Sequence, residues 1–157
     1  MLTIEVDDKA VIARLTAMPD KLRAAFLKKT YALAEKLKSK VQQNLTNRIL
    51  NIRTGKLVRS IFEQVTNSTN EVSGRVYSSG VPYAAIQEYG GQTKAHIIEA
   101  ANGKALAFNM GGKQVFFKRV NHPGSNIPAH RYMGQAFDAM KPEISSGYQE
   151  AAQEGLK

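Results

Sequence analysis

The feature that most constrains the fold is a long amphipathic segment from about Pro19 to about Asn51. Its main apolar residues recur at spacings of four or seven positions: Leu22, Phe26, Leu33, Leu37, Val41 and Leu45. This period places them along one side of an α-helix, and Pro19 and Asp20 suit a first helical turn. The sequence therefore predicts one long helix that buries an apolar stripe against another layer.

The same part of the chain carries most of the positive charge. The net charge is +9, and residues 1–60 contribute +8 of it, with 13 lysines and arginines against five acidic residues. The basic side chains around the stripe have only Asp20 and Glu35 as acidic neighbours: Lys21, Arg23, Lys28, Lys29, Lys36, Lys38, Lys40 and Arg48. A solvated helix face explains this pattern, and so does a surface for DNA or for an acidic protein.

Short elements of both types are predicted elsewhere. A strand at residues 2–6 leads to a helix near Lys9, and residues 61–66 and 71–77 form a hairpin. A short helix or turn at residues 83–89 ends at Gly90-Gly91. Three strand-like runs follow at 96–100, 105–108 and 114–120, and Asn102-Gly103 favours a tight hairpin between the first two. The closing helix begins at about Arg131 and is kinked or restarted at Pro142.

These elements predict an α+β fold, with a long N-terminal helix and a C-terminal helix packed on a central antiparallel sheet. At 157 residues the chain fits a single domain, 1–157. Its basic helical part covers about 8–51, its sheet and loops about 54–130, and its closing helix about 131–154. The strand-helix-strand alternation of a dinucleotide-binding fold is absent from the pattern.

No catalytic, metal or cofactor site is predicted. The chain has no cysteine, and His96, His122 and His130 lack the spacing of a zinc site. Glu88 is an isolated carboxylate without a partner in the pattern. Phe116-Phe117-Lys118-Arg119 combines aromatic and basic residues as single-strand binders do, but an amphipathic core strand is the simpler interpretation. With neither a signal peptide nor a membrane span in the sequence, we expect cytoplasmic synthesis.

Three segments resemble phage tail-completion and virion-morphogenesis proteins. Thr54-Gly55-Lys56-Leu57-Val58-Arg59-Ser60-Ile61 resembles their Thr-Gly-x-Leu-x-x-Ser-Ile stretch, and residues 83–91 are similar to their Tyr-Ala-x-x-x-Glu-Phe/Tyr-Gly element. His122-Pro123-Gly124, followed by residues 127–133, resembles the motif that leads into their last helix. Arg131 stands where the family often has a second proline.

The resemblance implies a non-enzymatic structural protein of the virion, made in the bacterial cytoplasm, that joins or completes the tail at the head–tail interface as a ring-forming subunit. Its implied partners are further copies of itself, neighbouring neck or tail proteins and, nonspecifically, packaged DNA, with no membrane and no cofactor. The alternative function is a small, nonspecific DNA-binding accessory protein that uses the basic N-terminal helix.

The residues predicted to act in assembly come from the three segments. They are Thr54, Gly55, Leu57, Ser60, Tyr83, Ala84, Glu88, Tyr89, Gly90, His122, Pro123, Gly124, Pro128 and Arg131. The lysines predicted to face DNA or a docking partner are Lys21, Lys28, Lys29 and Lys36. We expect residues 83–91 and 121–133 to serve assembly more than folding, because they are mainly loops and element ends.

Overall fold

The computed structural model describes residues 2–4, 20–46, 49–50, 54–68, 71–101 and 104–156. The predicted helix near Lys9 and the predicted Asn102-Gly103 turn lie outside these residues. The helices are α1 (Asp20–Asn44), α2 (Lys56–Arg59), α3 (Ala84–Tyr89) and α4 (Tyr132–Gly155). The strands are β1 (Leu2–Ile4), β2 (Ile61–Ser68), β3 (Glu71–Ser78), β4 (Gly91–Gln92), β5 (His96–Glu99), β6 (Leu106–Met110), β7 (Lys113–Phe117), β8 (Arg119–His122) and β9 (Asn126–Ile127). This content confirms the predicted α+β class.

Three antiparallel strands form the sheet on which the long helix packs, in the spatial order β1-β3-β2. The predicted hairpin is confirmed, since β2 pairs with β3 from Ile61 opposite Ser78 to Ser68 opposite Glu71. Side chains alternate between the faces of a strand, so Ile61 and Glu63 share one face. Lys38 of α1 forms an ion pair with Glu63, with 2.6 Å between Nζ and Oε2. Helix α1 therefore covers this face.

The apolar stripe of α1 reaches the core as predicted. Leu33, Val41 and Leu45 are buried, while the other predicted members of the stripe are half-buried. The central cluster joins this helix to the sheet and to the start of α4, and its buried members are Val41, Leu45, Ile61, Val76, Tyr132, Met133 and Ala136. Burial of such side chains is the main source of stability in a chain without disulfides.

Helix α1 ends at Asn44, which corrects the predicted end near Asn51. The Asn44 side-chain amide donates a hydrogen bond of 2.9 Å to the Tyr132 carbonyl oxygen. The Asn44 carbonyl in turn accepts from the Ile49 N–H at 3.0 Å. The turn brings Ile49 and Leu50 against the central cluster.

Helix α4 packs along α1 and is continuous through Pro142, so the predicted restart is wrong. Proline lacks the N–H that would bond four residues back, and its ring crowds that carbonyl. Pro142 lies on the exposed side of α4, where solvent can satisfy the carbonyl that loses its partner. The long pairing of α4 with α1 supports the helix on both sides of this position.

The described residues between 91 and 127 form a two-stranded antiparallel ribbon, and this segment is here called the β-arm. It leaves the body at Gly91 and returns at Ile127, which are directly opposite each other. Strand β4 pairs with β9, β5 with β8, and β6 with β7. No described residue of the β-arm is buried.

The pairing in the β-arm corrects the predicted tight hairpin between residues 96–100 and 105–108. The first of these runs pairs with β8 instead, with His96 opposite His122. The reversal of the chain lies at Gly111 and Gly112, whose φ angles are 58° and 80°. Positive φ at both loop positions is the requirement of a type I′ turn, which glycine meets without steric cost. The Gly-Gly pair therefore determines the hairpin.

Candidate functional site

The structure brings together two of the predicted segments, residues 83–91 and 121–133, at the base of the β-arm. Glu88 of α3 lies at the centre of this junction and is only 2% exposed. Its Oε2 accepts the Met133 N–H at 2.8 Å and its Oε1 accepts the Gly134 N–H at 2.9 Å. These donors belong to the first turn of α4, where backbone N–H groups have no partner within the helix. A carboxylate also interacts favourably with the positive end of the helix dipole.

This geometry gives Glu88 a role in folding and replaces the expectation that it serves assembly more than folding. Next to it, the buried Tyr132 hydroxyl donates to the Ala84 carbonyl at 3.3 Å. Burial, together with the charge of Glu88, raises the pKa of Tyr132. Ala84, the first residue of α3, is itself buried. Glu88, Tyr132 and Ala84 thus connect α3 to α4 through the interior of the protein.

Backbone hydrogen bonds reinforce the same junction. The His130 N–H donates to the Gln87 carbonyl and the Arg131 N–H to the Glu88 carbonyl, both at 3.0 Å. Arg131 has a φ of 50°, in the left-handed region, and its guanidinium lies 3.1 Å from Asp138 Oδ2. A non-glycine residue in this conformation is retained only when its surroundings hold it there. We call the contacts between residues 84–88 and 130–134 the clamp.

The loop of the β-arm next to the clamp is fixed by short contacts. The Thr93 N–H donates to the Ser125 carbonyl at 2.9 Å, and the Ser125 N–H donates to Thr93 Oγ1 at 2.7 Å. Gly124 has a φ of 94°, and a Cβ there would lie 2.1 Å from the Thr93 carbonyl oxygen. The Gly124 N–H donates to His122 Nδ1 at 3.0 Å. His122 and Gly124 therefore shape the arm base, while Pro123 between them is exposed.

Of the other predicted residues at the junction, all but the half-buried Gly90 face solvent. Tyr83 and Tyr89 flank α3 and are both exposed. Pro128 is exposed between β9 and α4, and Gly90 is the last residue before the β-arm. Tyr83, Tyr89 and Pro128 can therefore contact another molecule without rearrangement of the fold, and their role in assembly remains a prediction.

The predicted segment Thr54 to Ser60 belongs to the folded body and is separate from the clamp. Leu57 packs against the central cluster. The buried Ser60 hydroxyl lies 2.7 Å from the Leu57 carbonyl and 2.7 Å from Ser78 Oγ. Gly55 is the N-cap residue that precedes α2, and the carbonyl of the exposed Thr54 accepts a hydrogen bond from Arg59 at 3.0 Å. This segment fixes the turn into β2.

The four candidate lysines divide into two pairs. Lys29 and Lys36, here the inner pair, form ion pairs with Glu150 and Glu143 of α4; the first has 2.9 Å between its charged atoms. Lys21 and Lys28, here the outer pair, are exposed and have no ion-pair partner among the described residues. The basic face predicted from the sequence is therefore partly neutralised by acidic residues distant in the chain.

The phenylalanines of the β-arm lie on its surface. Phe116 and Phe117 are exposed, so the interpretation of residues 116–119 as a core strand is wrong. Alternation alone cannot say which molecule covers the apolar face of a strand, because a core and a binding surface give the same pattern. The Gly-Gly turn at 111–112 was the available signal that β6 and β7 form an isolated hairpin.

Two of the three histidines lie next to each other in the β-arm. The rings of His96 and His122 stack with their centroids 5.0 Å apart across β5 and β8. No group of three or more residues in the described part of the chain could hold a metal ion. Nor is any described helix both long enough and apolar enough to cross a bilayer.

Residues 9–90 match a protein family described as "Bacteriophage HK97-gp10, putative tail-component". The matched segment is just over half of the chain and ends one residue before the β-arm. It contains α1, the central hairpin and α3. No curated protein and no solved structure matches the chain.

Proposed function

The chain belongs to the HK97-gp10-like family of phage tail components, and we propose that it joins or completes the tail at the head–tail interface as a ring-forming, non-enzymatic subunit of the virion. The observation that carries this proposal is the β-arm, 37 residues long and without a buried residue among those described, held by a clamp on a packed body. Exposed segments positioned by a rigid scaffold are the usual place for binding.

The clamp supports an assembly role because it fixes where the arm begins and ends. Glu88 and the backbone bonds beside it join α3, which precedes the arm, to α4, which follows it. Precise contacts between subunits require that their supporting residues be held by packing and hydrogen bonds. Tyr83 and Tyr89 surround the clamp with exposed aromatic rings, which are enriched in protein interfaces.

A free sheet edge supports the ring. Strand β2 lies at the end of the order β1-β3-β2 and, among the described strands, pairs only with β3. An unpaired edge can add a strand from a second chain. Contacts between two different surfaces on successive copies close into a ring when the rotation closes. The edge of β2 and the exposed surface around the clamp are two such different surfaces.

The alternative of a DNA-binding accessory protein loses part of its basis. It relied on the unbalanced charge of the long helix, but the inner pair of lysines already has acidic partners on α4. The outer pair still allows weak contact with DNA in the lumen of a ring. Contact of that kind accompanies the assembly function and does not replace it.

The test is to delete the gene from the phage and examine the particles by electron microscopy. We expect separate heads and tails, or tails with an unfinished end, and a return of joined particles when the gene is supplied in trans. Native mass spectrometry of purified neck complexes should then show several copies of the chain in a closed assembly. Normal infectious particles without the gene would refute the proposed function.

A pair of matched variants tests the surface around the clamp. Tyr83→Ser combined with Tyr89→Ser removes two exposed rings, and Tyr31→Ser removes an exposed ring on α1. We expect all three substitutions to leave the thermal midpoint nearly unchanged, because surface changes usually shift stability by less than about 0.5 kcal/mol. Only the double variant should lower the yield of joined particles. Equal yields would remove this surface from the assembly interface.

A further inference from the structure

The distal half of the β-arm carries an apolar face that no described residue of the chain covers. Residues directly opposite each other in an antiparallel pair lie on the same face. The register of β6 with β7 therefore collects five apolar side chains on one side of the hairpin, with Lys113 opposite Met110 at its tip. This side is here called the distal face, and its apolar residues are Leu106, Phe108, Met110, Val115 and Phe117.

The aromatic side chains of the distal face contact each other and are accessible to solvent. Phe108 and Phe117 stack with ring centroids 5.5 Å apart. Phe108 is 37% exposed, Phe117 43% and Met110 56%. The opposite face of the same hairpin holds Ala107, Asn109, Gln114 and Phe116, and its one large apolar residue is Phe116, which is 62% exposed. The asymmetry between the two faces indicates that one side is made for contact.

An isolated hairpin of this kind gains little from its own fold. Two-stranded ribbons are only marginally stable in water unless a third layer covers an apolar face. Apolar surface also contributes about 25 cal/mol per Å² when it is removed from water. The distal face therefore favours an occupant that covers it, and this occupant must come from outside the described part of the chain.

The charge of the β-arm indicates the chemistry of the molecule that covers the distal face. The arm has five basic residues and one acidic residue, a net charge of +4: Lys94, Lys104, Lys113, Lys118, Arg119 and Glu99. A second copy carries the same net charge of +9, and three of the four acidic residues of α4 are already in ion pairs within the chain, so a second copy is a poor electrostatic complement of the arm. Complementary potentials are the rule across protein interfaces. The complement is a protein surface with a surplus of carboxylates.

We propose that the distal face docks into an apolar groove on a different protein of the virion, one whose groove is bordered by aspartate and glutamate. This inference rests on the proposed function, because it places the partner in the assembled particle. Duplex DNA fits the arm less well, since its affinity for proteins comes chiefly from phosphates, which leave an apolar face uncovered. The family match ends before the β-arm and so does not bear on this surface.

Site-specific photo-crosslinking in assembled virions tests the proposal. The photoreactive residue p-benzoylphenylalanine is placed at Phe108 in one phage and at Phe116 in a matched control, so that the same probe stands on opposite faces of one hairpin. After irradiation, crosslinked peptides are identified by mass spectrometry. We expect Phe108 to give at least a tenfold excess of crosslinks, all to one other virion protein, at a segment rich in carboxylates.

Other results would overturn the proposal: crosslinks from Phe108 to a second copy of this chain, crosslinks to DNA, crosslinks to a protein segment without surplus carboxylates, or no excess over Phe116. If the Phe108 derivative does not enter virions, the same probe at Met110 replaces it, because Met110 is on the same face. Absence of both derivatives from virions that take up the Phe116 derivative also supports the docking face, provided that their thermal midpoints match the wild type. The proposal fails if the Phe108, Met110 and Phe116 derivatives are all absent from virions, because the distal face then has no separate docking role. It also fails if the Phe108 or the Met110 derivative is absent from virions and has a lower thermal midpoint than the wild type.

Binding of the purified chain to the crosslinked partner gives a second measurement. Phe108→Ser and Phe117→Ser should each weaken affinity by about tenfold, and Phe116→Ser should not. Added salt should weaken the wild-type complex, because the attraction is partly electrostatic. If the phage requires the gene but Phe116→Ser weakens binding as much as Phe108→Ser, this inference fails and the proposed function stands. If the phage assembles normally without the gene, the proposed function fails first.

Discussion

Replacing Glu88 with alanine removes the buried carboxylate that accepts two N–H groups at the start of α4. The Met133 and Gly134 donors would lose partners at 2.8 and 2.9 Å, and the Met133 bond is fully buried. Water cannot easily replace the carboxylate there, because Glu88 is 2% exposed. The change therefore leaves unpaired donors in the protein interior and also removes a negative charge from the positive end of a helix dipole.

The cost can be estimated from the two contributions. Loss of a helix N-cap costs about 0.5–2 kcal/mol, and a buried donor left without a partner costs about 1–3 kcal/mol. We expect Glu88→Ala to lower the free energy of unfolding by about 3 kcal/mol. For a domain of this size, each kcal/mol lowers the melting temperature by about 2–4 °C, which gives roughly 6–12 °C. Differential scanning calorimetry of the purified chain measures both quantities.

Two further variants make the test specific. Glu88→Gln keeps one acceptor oxygen but presents an amide to the second N–H, so its loss of stability should fall between that of alanine and zero. Glu154→Ala removes an exposed carboxylate from α4, the helix whose first turn Glu88 caps, and should shift the melting temperature by less than about 2 °C. An equally small shift for Glu88→Ala would refute the structural role of the clamp.

Three other changes follow from the packing and charges of the body. Gly155→Ala places a Cβ 2.4 Å from the Leu22 Cα and should lower the free energy of unfolding by about 1–3 kcal/mol. Gly147→Ala, whose Cβ would have its nearest contact at 3.3 Å, should lower it by less in the same melting assay. Equal losses would contradict the close approach of α1 and α4. The hydrogen bond from Lys38 lowers the pKa of Glu63, so its stabilisation is complete above about pH 4.5 and is lost as the pH falls through the lower folded-state value. Lys38→Met should flatten the pH dependence of the free energy of unfolding in urea titrations below pH 5, and an unchanged dependence would contradict this assignment. In DNA binding by the oligomer, the outer pair of lysines should contribute about −2 to the slope of log affinity against log salt for each subunit in contact with DNA. Glutamine substitution of the outer pair should remove this contribution, and substitution of the inner pair should not. No salt dependence in the wild type would exclude the contact.

The local sequence pattern predicted most of the body. The spacing from Leu22 to Leu45 identified α1, and β2 and β3 lie within two residues of their predicted limits. Both predictions depend on periodicity within one element, where burial against a single layer imposes a fixed repeat. The end of α1 was not predictable in this way, because the Asn44 amide turns the chain by bonding to Tyr132, 88 residues further along.

Contacts distant in the chain explain the errors about charge and site. Lys29 pairs with Glu150, and a count of nearby acidic residues in the sequence cannot detect a partner 121 positions away. The error about Glu88 has the same origin. In the sequence Glu88 is an isolated carboxylate beside Tyr89, and nothing near it indicates that the start of α4 encloses it. The pairing of residues 96–99 with 119–122 across the arm also needed the register of the whole ribbon.

We expect variants of the clamp and variants of the distal face to differ in how thermal stability and particle assembly change together, and this difference separates the roles of the two features. Loss of Glu88 weakens the junction from which the β-arm starts, so a failure of particle assembly in Glu88→Ala should accompany a lower melting temperature. Phe108 lies in the distal hairpin, away from the central cluster, so Phe108→Ser should impair assembly while the body melts as before. By itself, an assembly defect in Glu88→Ala is therefore weak support for a contact between the clamp and another protein. At reduced temperature the clamp can still form in Glu88→Ala, so a partial recovery of particles would show that Glu88 supports the arm and does not contact the partner. No such recovery is expected for Phe108→Ser.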